Sequence, residues 1–276
     1  MISSFSNLSN LKQRLLSAIV GVIIVVVSLI TSEWTYFVTL LALCTLTQLE
    51  FYKLVGIDGM IPLKTWGTFT GMCLFSLSFL VERETLPASY YFLIFPPLSL
   101  VYFIKLYRKA DKKPFTNIAF TFLGIIYVAL PFSLLNVCAY SQGYYSHEII
   151  LGCLLILWAS DTGAYFAGVN FGRTKLFERV SPKKSWEGSI GGAITAMGMA
   201  FAVAYFYLDL FDWQWLCIGG IIVVAGTYGD LVESLFKRSI MIKDSGRGIP
   251  GHGGFLDRFD GLLLAAPFIA TFLKLF

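Results

Sequence analysis

The chain has 276 residues, of which 57% are hydrophobic and 14% charged, with a mean hydropathy of +0.72. One soluble core of this size has no room for so much apolar surface, so the composition excludes an ordinary soluble domain and indicates an integral membrane protein. The net charge of +4 is small and says little by itself, and no nucleic-acid partner is expected.

Uncharged runs long enough for helices to cross hydrocarbon predict nine spans, near 15–32, 34–52, 65–81, 87–104, 115–138, 149–169, 188–208, 213–229 and 259–275. No run alternates as a barrel strand does, so the expected fold class is an all-α polytopic membrane protein. The first run follows Lys12 and Arg14, but Glu33-Trp34 stands where a signal peptide would need small residues, so it reads as a retained span. Pro87, Pro96 and Pro97 predict an irregular fourth span.

With the N-terminus in the cytoplasm, the segments 1–14, 53–64, 105–114, 170–187 and 230–258 hold nineteen of the twenty-one Lys and Arg residues. That sorting follows the positive-inside rule and puts the C-terminus outside. Cys44, Cys73, Cys138, Cys153 and Cys217 all lie in apolar runs without metal-ligand spacing, which predicts neither disulfides nor a zinc site. The expected division is 1–140 as membrane scaffold and 141–276 as catalytic part, because polar clusters concentrate in the second half. The first five predicted spans read as free of acids in their interiors.

Three clusters carry chemistry. Asp161, in Trp158–Gly168, lies inside a hydrophobic helix, where an ionisable group costs several kcal/mol unless paired or hydrated. Its small neighbours also suit helix packing. The loop 172–188 contains Ser181-Pro-Lys183-Lys184-Ser185 just before a glycine-containing helix start, which suits polyphosphate more than a plain basic loop. The third cluster, 230–260, holds Asp230, Glu233, Ser234 and Lys237 at helical spacing, five glycines between 246 and 254, then Asp257 and Asp260. Asp230, Asp257 and Asp260 form a candidate divalent-cation site, since Mg²⁺ takes a few carboxylates plus phosphate oxygens and water. His252, between glycines, suits a ligand contact and a turn position equally. Together these pieces fit phosphoryl or nucleotidyl transfer, with a lipid as one reactant at the bilayer surface.

Ser234-Leu-Phe-Lys237-Arg238, Lys243-Asp244, Pro250-Gly-His252-Gly253-Gly254 and Asp257-Arg258-Phe-Asp260 resemble, in order and spacing, the signature of phosphatidate cytidylyltransferases (CDP-diacylglycerol synthases). The upstream SDTGAYFAG and SPKKSWEG segments look like that family too. The resemblance implies CTP and phosphatidate as substrates, CDP-diacylglycerol and pyrophosphate as products, Mg²⁺ as cofactor with a second cation left open, a homodimer, and the bacterial inner membrane. By matched position, Asp230 and Asp257 look like metal-binding acids, with Asp260 and Asp161 close by. Ser181, Lys183, Lys184 and Ser185 resemble CTP-phosphate contacts. Arg238, Lys243, Asp244, His252, Gly253 and Gly254 are expected around the nucleotide, while Lys237 and Arg258 are expected to meet reacting phosphate. A CTP-dependent lipid kinase and a cytidylyltransferase for another lipid phosphate are the nearest alternatives. A transporter is the distant one, and it would distribute polar groups near the midplane of several spans.

Overall fold

The computed structural model describes residues 10–109, 111–242, 245–246 and 253–276, with side chains from residue 17 onward. The expectations for Lys243, Asp244 and His252 therefore lie outside the described residues.

In chain order, α1 (Asn10–Thr31), α2 (Glu33–Ile57) and α3 (Lys64–Glu82) come first. A 3₁₀ turn at Ala88–Ile94 leads into α4 (Phe95–Leu106), with Pro96 and Pro97 in its first turn. That is the irregularity the prolines predict. Helix α5 (Pro114–Gly124) joins α6 (Leu130–Ala139) through a π turn at Ile125–Ala129. Pro131, which has no amide to offer the previous turn, accounts for a break at this place. The remaining helices are α7 (His147–Phe171), α8 (Trp186–Phe206), α9 (Asp212–Ile221), α10 (Thr227–Ser239) and α11 (Leu256–Leu275).

Each of the nine predicted spans falls on a helical rod among the described residues. Among the described residues, six rods are long and apolar enough to cross a membrane: Glu33–Ile57, Ala88–Leu106, Pro114–Ala139, His147–Phe171, Trp186–Phe206 and Asp212–Ser239. The described part of α1 is a shorter apolar helix, Ser17–Thr31. Helices α3 and α11 are not among the six. One is diluted by Thr, Gly and Ser, and the other opens on Asp257, Arg258 and Asp260.

Two boundaries differ from the sequence expectation. The eighth span does not stop at Gly229, because a second π turn, Ile222–Gly226, joins α9 to α10 in one rod of 28 residues. Helix α2 runs on to Ile57, so Glu50, two residues short of the predicted end at 52, stands well inside it, and the reading of the first five spans as free of interior acids is corrected.

The architecture is α-helical with one addition to the all-α expectation. In the loop between α7 and α8, β1 (Lys175–Phe177) and β2 (Ser181–Ser185) pair antiparallel, Lys175 opposite Ser185 and Phe177 opposite Ser181. A connected cluster of buried side chains runs from Leu29 on α1 to Leu273 on α11 and includes Phe75, Phe132, Trp215 and Ile269. Helix α11 packs on α6 and α10, so the last helix joins the two halves of the chain.

A candidate active-site cleft between the hairpin and three helices

The hairpin is fixed at both ends. The amides of Arg173 and Thr174 donate to the Glu187 carboxylate at 3.1 Å, and Trp186 N donates to Thr174 O at 2.9 Å. Ser185 caps α8, its Oγ accepting from Gly188 N at 3.2 Å. This local geometry projects β2 across the end of α7 and toward α10. Lys184 makes the crossing: its Nζ lies 2.8 Å from Asp230 Oδ2 and donates to Thr227 O at 2.9 Å.

Helices α10 and α11 approach closely where the acids stand. A Cβ on Gly229 would collide with the backbone carbonyl of Asp260 and come within 2.9 Å of Gly261 Cα, so this crossing admits only glycine. Asp230, Glu233 and Asp260 result as a trio whose ligand oxygens lie within 4.8 Å of one another. Glu233 is fully buried, and neither of its oxygens has a well-aligned hydrogen-bond donor among the described residues. Its ion-pair partner is Lys237, with Nζ 2.5 Å from Oε2.

Lys237 Nζ also donates to Asp257 Oδ1 at 2.6 Å. The other oxygen of Asp257 accepts from the amides of Ser245 and Gly254, each at 3.1 Å. Burial raises the Asp257 carboxyl, but the hydrogen bonds it accepts, from the Lys237 ammonium and the Gly254 amide among them, outweigh this and hold it below the usual carboxylate range. Asp257 thus works as the clasp of the glycine-rich segment, while Glu233 stands with Asp230 and Asp260 in the trio.

A cleft of about 760 Å³ opens between these pieces. Asp161 from α7, Ser181, Lys183, Lys184 and Ser185 from β2, and Asp230, Asp257 and Asp260 from α10 and α11 all line it, as do Lys175 and Thr227. Residues up to a hundred positions apart in the chain meet here. Lys183 is exposed and the Ser185 hydroxyl is taken up by its cap. Arg238 is exposed, and its guanidinium donates to Ile242 O at 3.3 Å. Arg258 is exposed on the first turn of α11. Gly253 has φ +82°, a conformation that favours glycine, and Gly254 is buried against Glu50 and Ser245.

Sequence reasoning assigned no role to Glu233, although it shares a helix face with Asp230, or to Glu50. The sequence signal for Glu50 was a carboxylate within the second predicted span, 34–52.

The fold and the cleft define a polytopic membrane protein with a charged pocket of carboxylates and lysines at one end of its helices. The chain belongs to the cytidylyltransferase family, whose model matches residues 12–276. It is 32% identical over 293 aligned residues to a phosphatidate cytidylyltransferase of Bacillus subtilis, covering 97% of this chain and 99% of the relative. A Staphylococcus haemolyticus protein of the same name is 30% identical over 265 residues, covering 94% and 97%. One from Haemophilus influenzae is 40% identical over 173 residues, 59% of this chain and 58% of the relative. The resemblance drawn from the signature residues is borne out.

Proposed function

We propose that this chain is a phosphatidate cytidylyltransferase, transferring CMP from CTP to phosphatidate to give CDP-diacylglycerol and pyrophosphate. The observation that carries the reading is the convergence of Asp161, the Ser181–Ser185 strand and the acids of α10 and α11 on one cleft. The names of the full-length relatives agree with it.

In this reading an anionic oxygen of phosphatidate attacks the α-phosphorus of CTP. One P–O bond forms as the bond to pyrophosphate breaks, and pyrophosphate leaves with the electron pair. A phosphate monoester is largely ionised near neutrality, so the site needs no strong base. Lys183 and Lys184 meet the β and γ phosphates, Lys184 exchanging part of its contact with Asp230 for the nucleotide. Asp161 faces the same space from α7 and orients the reactants.

The trio fits Mg²⁺: three hard carboxylate oxygens within 4.8 Å, one of them from a buried acid without an aligned donor. Asp230, Glu233 and Asp260 would hold the ion, which when bound neutralises phosphate charge. Asp257 positions the loop rather than leading the ligand set.

The proposal extends to nine spans with a cytoplasmic N-terminus in the inner membrane, to a homodimer, and to the first five spans as scaffold. To test the activity, purified protein in detergent receives CTP labelled at the α-phosphate with phosphatidate, diacylglycerol or a polyprenol in separate tubes. A labelled liponucleotide with phosphatidate alone is expected. Transfer of label from γ-labelled CTP to either alcohol would replace this reading with a lipid kinase.

A further inference from the structure

Glu50 belongs to α2, far earlier in the chain than the acids of α10 and α11, yet its carboxylate lies against the start of α11. Oε2 accepts from Phe255 N at 2.9 Å and Oε1 from Leu256 N at 3.2 Å. The Ser245 hydroxyl donates to the same Oε1 in a short hydrogen bond. One side chain thus holds both described ends of the glycine-rich segment, Ser245 before it and Phe255–Leu256 after it.

The chemistry of the contact is specific to an acid. The first amides of a helix have no partner within it, and the end carries partial positive charge. Phe255 supplies no side-chain cap for α11, and Glu50 fills that role from another helix. The approach is close enough that a Cβ on Gly254 would collide with Glu50 Oε1 and Ser245 Oγ. The next residue of α2, Phe51, is buried and stacks on Phe236 of α10 with ring centroids 5.3 Å apart. Adjacent positions of α2 therefore reach both helices that bear the acid trio.

We infer that Glu50 is a positioning residue for the transfer reaction, fixing the first turn of α11 and through it Asp257 and Asp260. The inference rests on the proposed function, and it gives the first half of the chain a defined part in the site. Glu50 is not among the described residues that line the cleft. Its effect therefore belongs to the geometry of the reacting groups. A misplacement of about 1 Å in such groups costs on the order of 100-fold in rate.

The test compares wild type with Glu50→Gln, Glu50→Ala and Asp260→Asn, each as the full-length protein in detergent. Glu50→Gln keeps the shape but loses the charge and one acceptor. The expected kcat is down roughly 10-fold in Glu50→Gln and roughly 100-fold in Glu50→Ala, with KM for CTP changed less than about 3-fold. Hydrogen exchange at the amides of Phe255 and Leu256 rises in both variants, while exchange in α2 and α8 stays as in wild type.

A kcat per folded protein equal to wild type, or a raised KM with kcat unchanged, would overturn the inference. So would unaltered exchange at 255–256. If Glu50→Ala does not fold, the isosteric Glu50→Gln alone decides. The Asp260→Asn control separates the two levels. Full activity in that variant would remove the site reading and the Glu50 inference with it. Loss of activity there beside wild-type behaviour at Glu50 would remove the inference alone.

Discussion

Lys237 sits between two carboxylates, 2.5 Å from Glu233 Oε2 and 2.6 Å from Asp257 Oδ1, and the three side chains are 12%, 1% and 13% exposed. Replacing it by methionine keeps the aliphatic stem and removes the charge. Two buried carboxylates then face each other without their shared cation. Breaking a buried pair in this way costs about 3–5 kcal/mol. At about 2–4 °C per kcal/mol for a chain near this size, the expected fall in melting temperature is roughly 6–20 °C. The assay is thermal unfolding of the purified variant in detergent, followed by tryptophan fluorescence. Adding Glu233→Leu to Lys237→Met is expected to recover part of the loss, because Asp257 keeps the amides of Ser245 and Gly254 as donors. A melting temperature within about 2 °C of wild type for Lys237→Met would refute the view of this lysine as the structural centre of the acidic cluster.

Other expectations follow from the same geometry. Lys183→Met removes an exposed cation from the cleft. Steady-state kinetics should show KM for CTP raised about 10-fold, as for loss of one charge-assisted contact of about 1.5 kcal/mol, with an unchanged melting temperature. Asp161→Asn should abolish turnover of labelled CTP while membrane insertion stays intact, because its carboxylate faces the cleft rather than a structural partner. Gly229→Ala should destabilise the protein by about 1–3 kcal/mol in a detergent melt, since the new methyl meets the Asp260 carbonyl and Gly261.

Much of this was legible because a membrane makes hydropathy decisive. Every predicted span lies on a helical rod, and the irregular fourth one lies where Pro96 and Pro97 sit. The three polar clusters were legible as chemistry, and Asp161, Lys183, Asp230 and Asp260 do share one cleft. Pairing across the fold was not legible. The strand geometry of Lys175–Ser185 depends on the tie from Glu187 to Arg173 and Thr174, which local spacing does not reveal. The choice between Glu233 and Asp257 as the third member of the trio depends on how Gly229 lets α10 meet α11. Glu50 was hidden for a related reason. Its partners include backbone amides more than two hundred residues away, and amides leave no signature in a residue pattern.

The central claim is that the cleft between the hairpin, α7, α10 and α11 receives CTP. Photo-crosslinking with an azido derivative of CTP, in the presence of Mg²⁺ and with competition by unmodified CTP, addresses it directly. Peptide mapping should place the competed adducts within 157–192 and 226–230, around Lys183 and Lys184. Competed adducts confined to α2–α6, 33–139, would contradict the account.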